Sequence, residues 1–265
     1  MIGRFRIVLG LSVAAVTTPP LLLWQMLAMA TGMNEMLAPR LWHSMVVRVL
    51  GFRVHVHGRL SEQRPLLVAS NHISWTDIMV LGSVANLYFI SKSELANWPI
   101  IGVLARYQRT VFVERDRKRK SGEQAAEIAM RLAKGHPMLL FAEGSTSDGN
   151  VMLPFKSTLF GAASMAISEG GADRVFVQPV AIAYTRLQGL PMGRQHRVHA
   201  AWIGDRTLVP HILALLREGA VDVEVHFGDP VEFTAQSRRK DVAAAVEAQV
   251  RTLMQAALAA PKPGK

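Results

Sequence analysis

From residue 51 onward, short apolar runs alternate with stretches whose apolar positions recur every three or four residues. "RVHVHG" (53–58) alternates with period two and predicts a half-exposed strand. "PLLVAS" (65–70), "LYFIS" (87–91), "TVFVE" (110–114), "PMLLFA" (137–142) and "VFVQPVAIAY" (175–184) are near-continuous apolar runs, the pattern of buried strands. Helical patterns fall between them at 75–85, 98–106, 120–134 and 156–169. Late strands are expected at "RVHAAWIG" (197–204) and "VDVEVHFG" (221–228), with a helix over 208–217 between them. An Ala-rich helix is expected from Arg238 to Ala259, followed by a loose tail, "PKPGK". This alternation predicts an α/β fold, a mixed β-sheet covered by helices.

The first fifty residues follow a different pattern. From Ile7 to Ala30 there is no charged residue, while Arg4 and Arg6 precede the run and Arg40 and Arg48 follow it. About 20 apolar residues span a bilayer as a helix. Pro19 and Pro20 interrupt the run, so a kinked helix or two shorter ones are expected. The segment reads as a bent span or a half-inserted helix pair, with Trp24 and Trp42 suited to a membrane interface. A cleaved signal peptide ending near "LAMA" is the alternative. "EMLAPRLWHSMVVRVLGF" then reads as an amphipathic helix closing at Gly51. The expected organisation is a membrane-associating segment (1–50), a central domain (51–235), and a C-terminal helix with its tail (236–265).

Charge narrows the choice of partner. Lys and Arg number 30 against 20 Asp and Glu in 265 residues, a surplus of ten that calls for an anionic partner. With an apolar N-terminal run beside it, a membrane explains the charge better than nucleic acid does. No zinc-finger spacing or aromatic-basic RNA signature is present. Cysteine is absent, which excludes disulfides, thiolate zinc sites and a Cys nucleophile.

Candidate chemistry begins at "SNHISWTD" (70–77), where a buried strand gives way to a helix. Ser74 and Asp77 have capping-box spacing, which places the helix start at Trp75 and His72 in the preceding turn. On one continuous helix His72 and Asp77 would point about 140° apart. With His72 outside the helix, the chain can fold back and set the Asp77 carboxylate on one ring nitrogen, leaving the other as a base. Plain helix capping beside an incidental histidine is the alternative reading.

The wider sequence separates these two readings. "SNHISWTD" resembles the N-H-x4-D block of the 1-acylglycerol-3-phosphate (glycerolipid) acyltransferases. "ISKSELANWPIIG" (90–102), "TVFVERD" (110–116), "LLFAEGSTSDG" (139–149) and "VFVQPVAIAY" resemble four further blocks of that family, in order. The resemblance spans about residues 50–185. It implies transfer of a fatty acyl group from a thioester, acyl-CoA or acyl carrier protein, to the hydroxyl of a lysolipid, with no cofactor or metal. The expected site lies on the cytoplasmic face of the inner membrane.

In that reading His72 is the general base and Asp77 orients it. Direct attack by the hydroxyl needs no acyl-enzyme, in agreement with the absence of a G-x-S-x-G elbow. The turn at Glu143, Gly144 and Ser145 would supply oxyanion donors, with Glu143 binding or orienting the acceptor. Arg115 and Lys156 would hold an anionic headgroup. An ordinary polar loop and surface cations are the bland readings of these residues.

Two positions depart from the family's third motif. Ala142 stands where Pro is usual, and Thr146 where Arg is usual. The missing Arg removes a contact that the resemblance assigns to the phosphate of lysophosphatidic acid. The stretch after Glu143 also resembles the lyso-ornithine lipid O-acyltransferase branch. The sequence leans narrowly to a phosphatidic-acid-forming enzyme, with lyso-ornithine lipid as the alternative acceptor and a non-catalytic membrane-binding protein as the remote alternative. His55 and His57 share one strand face and, without a neighbouring carboxylate in the sequence, read as an exposed face rather than a metal pair.

Overall fold

The computed structural model describes residues 2–114 and 118–259. Two helices lead, α1 (Ile2–Thr31) and α2 (Leu37–Val49). Then come β1 (Phe52–His57), β2 (Leu66–Ser70), α3 (Thr76–Val84), β3 (Tyr88–Lys92), α4 (Ile101–Tyr107), β4 (Val111–Val113), α5 (Lys118–Ala133) and β5 (Met138–Phe141). The chain continues through α6 (Gly161–Ser168), β6 (Arg174–Leu187), β7 (Leu190–Pro191), α7 (Arg194–Arg197), α8 (Leu208–Glu218), β8 (Val221–Phe227), β9 (Val231–Thr234) and α9 (Arg239–Ala259). The main strand order is β1-β8-β6-β2-β5-β3-β4, with β7 and β9 also paired to β6. β8 is antiparallel to β6, whereas β6-β2-β5-β3-β4 run parallel, so the sheet is mixed.

The strands form where the apolar runs place them. All five residues of β2 are buried, which is why its sequence shows no alternation. The edge strand β1 buries Phe52 and exposes Arg53, His55 and His57. α9 packs along β6, and α2 crosses α3 closely. At that crossing Gly82 meets His43, where a Cβ would fall 1.6 Å from the ring. Burial drives the His43 pKa down to about 4, so this core imidazole is neutral.

Of the two outcomes expected at Pro19-Pro20, separation into two helices does not occur: α1 is one helix of 30 residues. Its contacts explain this. Gly10 lies against Val49 and Leu216, Trp42 Nε1 donates to Thr18 Oγ1 (3.0 Å), and Gln25 Nε2 donates to the Tyr107 carbonyl (2.8 Å). Residues on both sides of the prolines are thus docked on one helix face. Opposite that face, Phe5, Val8, Leu9, Val16, Leu23 and Leu27 are exposed. By length and composition α1 is the one described helix able to cross a membrane.

The strand expected at "RVHAAWIG" is also absent, replaced by α7 and a run of turns. Ala200 and Ala201 N–H both bond the Arg197 carbonyl, and Trp202 N–H bonds the Ile73 carbonyl (2.8 Å). The segment supports the His72 loop instead of joining the sheet.

Candidate active site

β2 and β5 end side by side, with Ser70 opposite Phe141. Two residues further along each chain come His72 and Glu143. The Glu143 carboxylate accepts the His72 N–H through Oε1 (2.8 Å) and the Leu153 N–H through Oε2 (2.8 Å). It is 1% exposed and does not line the cleft described below, and its two oxygens brace the main chain. Burial raises its pKa to about 7, against the pull of the two N–H donors. On the other flank, Asn71 Oδ1 accepts the Ile182 N–H (2.8 Å) and Nδ2 donates to the Ile182 carbonyl (3.0 Å), extending the β2–β6 pairing with a side chain.

A raised carboxyl pKa has a pH signature. Between the ordinary value of 4.5 and about 7, folded Glu143 holds more protons than unfolded Glu143, so its contribution to stability falls as pH rises. Glu143→Gln should flatten that part of the unfolding free energy, measured by urea titration from pH 4.5 to 7.5. The amide cannot accept both N–H groups, so a loss of about 1–3 kcal/mol is expected at pH 5. An unchanged pH slope would rule out Glu143 as its source.

His72 Nδ1 lies 2.8 Å from Asp77 Oδ2. That same oxygen accepts the N–H of Ile73 (2.6 Å) and of Ser74 (2.9 Å). Tyr184 OH donates to Asp77 Oδ1 (2.7 Å), and Thr76 Oγ1 lies 2.6 Å from Tyr184 OH. A phenol has one proton, so with that proton on Asp77 the Thr76 hydroxyl is the donor to Tyr184. Asp77 is fully buried, and its two oxygens accept from these donors. Nδ1–H donates to the Asp77 carboxylate, and Nε2, unpartnered among the described residues, then carries a lone pair toward the cleft. The ring stacks on Phe141 at 3.8 Å. Helix α3 starts at Thr76, one residue later than expected, and the reach of Asp77 back to Ser74 N–H supplies half of the capping box.

The loop after β5 turns at Gly144, whose φ of 76° suits glycine. Its N–H donates to the Phe141 carbonyl (3.1 Å), so Gly144 is not the free donor the sequence pointed to. The N–H groups of Ser145 and Thr146 have no acceptor among the described residues, and both residues line the cleft. Ser147 N–H donates to the His72 carbonyl (2.8 Å), and Thr146 Oγ1 donates to the Trp202 carbonyl. Lys156 is exposed and outside the cleft lining, so the structure does not bring it to His72. Arg115 lies outside the described residues.

The cleft has a volume of about 600 Å³, and Lys92 and Glu94 are its charged lining residues among those described. Trp75, Ile78, Ser91, Leu95, Trp98 and Leu208 also line a second, apolar space of about 260 Å³, so the two communicate. Gly10, Leu11 and Ala14 of α1 and Trp42, Met45 and Val46 of α2 form part of that groove's wall. Sequence reading missed Lys92, Tyr184 and Trp202. The lysine of "ISKSEL" was a usable signal, whereas Tyr184 looks like any aromatic in a buried strand.

Residues 52–183 match the Acyltransferase family. The lyso-ornithine lipid O-acyltransferase of Brucella abortus (strain 2308) is 50% identical over 260 residues, covering 97% of each chain. The chain belongs to the acyltransferase family. A second acyltransferase relative, the lyso-ornithine lipid O-acyltransferase of Rhizobium meliloti (strain 1021), is 50% identical over 216 residues, 82% of this chain and 74% of its own. The fold of this acyltransferase is that of the 1-acyl-sn-glycerophosphate (LPA) acyltransferase PlsC from Thermotoga maritima, with a TM-score of 0.66 at 19% identity over 97% of each chain.

Proposed function

We propose that this acyltransferase moves a fatty acyl group from acyl-CoA or acyl carrier protein to the hydroxyl of lyso-ornithine lipid, giving ornithine lipid. The observation that carries the acceptor is the cleft wall. Thr146 stands where an arginine would hold phosphate, and its hydroxyl is bonded to Trp202. Lys92 and Glu94 offer one charge of each sign. A zwitterionic amino-acid headgroup suits that pair better than a phosphate does. The names of the two half-identical relatives support the same choice and reverse the narrow preference of the sequence for phosphatidic acid.

The reaction follows from the geometry. His72 Nε2 takes the acceptor's hydroxyl proton as the oxygen attacks the thioester carbon. Asp77 stabilises the imidazolium that forms. The N–H groups of Ser145 and Thr146 receive the oxyanion. The carbon–sulfur bond then breaks, and the imidazolium returns the proton to the thiolate. No cofactor enters these steps. The acyl chain lies in the apolar groove. The exposed apolar face of α1 lies in the cytoplasmic leaflet of the inner membrane while its other face stays on the domain, an in-plane arrangement.

The test is a membrane-fraction assay with a labelled acyl thioester and either lyso-ornithine lipid or lysophosphatidic acid. Lyso-ornithine lipid should be used at least about tenfold better, the size of one lost charged contact. A preference for lysophosphatidic acid would reject the acceptor. Free fatty acid released without any acceptor would mark a hydrolase.

A further inference from the structure

Away from the cleft, strands β1 and β8 run parallel with His57 opposite His226 and His55 opposite Glu224. Side chains two residues apart share a sheet face. His57, Glu224 and His226 therefore converge on the face that also carries Arg53, His55 and Asp222. Their nearest ligand atoms all lie within 4.8 Å of one another. His57 Nε2 is 2.6 Å from Glu224 Oε2, and the two imidazole rings stack at 4.1 Å with 12° between their planes. His226 Nε2 is enclosed and has no hydrogen-bond partner among the described residues. The carboxylate that the sequence did not place beside His57 is supplied by β8.

We propose that His57, Glu224 and His226 bind a divalent transition-metal ion, with Zn²⁺ as the reference ligand. Bonds of about 2.0–2.2 Å to imidazole nitrogen and carboxylate oxygen put the ligand atoms a little over 3 Å apart. Binding requires side-chain rotation that brings the observed separations, at most 4.8 Å, down to that distance. Two imidazoles and one carboxylate favour Zn²⁺, Ni²⁺, Co²⁺ or Cu²⁺ over Mg²⁺ and Ca²⁺. His57 is half-exposed, so solvent supplies the remaining position.

The site clamps rather than catalyses. None of the three residues lines the active-site cleft. β8 is two strands from β2 and β1 is three, so at a strand spacing of about 4.8 Å the site is roughly 10–15 Å across the sheet from the His72 loop. β1 is the edge strand of the main path, and the ion would tie it to β8 through side chains in addition to the backbone ladder.

The experiment is equilibrium dialysis of the purified full chain in detergent against ZnCl₂, with zinc counted by mass spectrometry. One ion per chain with Kd below about 10 µM is expected. His57→Gln, Glu224→Gln and His226→Gln should each weaken binding at least about tenfold, the effect of one lost ligand. His55→Gln should not, because His55 bonds Asp222 (3.0 Å) and stands outside the triad. Co²⁺ should give visible absorption bands with wild type that vanish in the His57→Gln/His226→Gln double variant. Acyl transfer by His57→Gln should match wild type, which shows that the exposed edge substitution leaves the protein folded. Equal zinc binding by wild type and the double variant would overturn the proposal, as would no zinc bound by wild type at about 100 µM.

Discussion

His72→Ala should lower kcat by about a thousandfold, within the range that one general base contributes, while leaving the protein folded. The side chain makes one hydrogen bond, to Asp77, and stacks on Phe141. Without it, Asp77 still accepts the Ile73 and Ser74 N–H groups and the Tyr184 hydroxyl, so the loop keeps its shape. Acceptor KM should change no more than a few-fold, because the missing nitrogen acts on a proton that moves only in the transition state. Steady-state kinetics on purified protein, with a thermal melt beside it, checks both halves. Activity within tenfold of wild type would remove His72 from the chemistry.

Asp77→Asn should reduce kcat by two to three orders of magnitude and separate charge from geometry. The amide can keep its oxygen on the Ile73 and Ser74 N–H groups and turn its nitrogen toward Tyr184. Tyr184 OH would then accept from the amide and donate to Thr76, reversing the present direction of that chain. Orientation survives, and the negative charge that stabilises the imidazolium is lost. Asp77→Ala should do more damage, since it strands several buried donors at about 1–3 kcal/mol each. If the Asn variant turns over at wild-type rate with a normal melt, the carboxylate is a cap and nothing more.

The sequence carried the His72–Asp77 pair because both ends of that interaction lie within one turn and one helix start. Its remaining supports come from distant parts of the chain. Glu143 reaches His72 only because β5 lies beside β2, and Tyr184 reaches Asp77 only because β6 lies on the other side. Strand order is not written in periodicity, so the hold of Glu143 on the His72 main chain and of Tyr184 on Asp77 could not be read from it. The same limit explains the two misread elements. Pro19 and Pro20 break an isolated helix, yet α1 continues through them with contacts to α2, α4 and α8. "RVHAAWIG" alternates like a strand, but its main-chain N–H groups bond back to His196 and Arg197 and, at Trp202, to Ile73 of the His72 loop. Where the pattern and the packing agreed, as in the fully buried β2, the reading held.

Under the proposed function, the groove wall shared by α1 and α2 makes the apolar helix α1 part of the enzyme's measuring device. Gly10, Leu11 and Ala14 on its inner side border the space proposed for the fatty tail. Cutting off the first thirty residues to obtain a soluble form would therefore open one side of that space to water. Such a truncation would lose discrimination between long and short tails along with its address, so an assay on a trimmed protein would misjudge what the full chain selects.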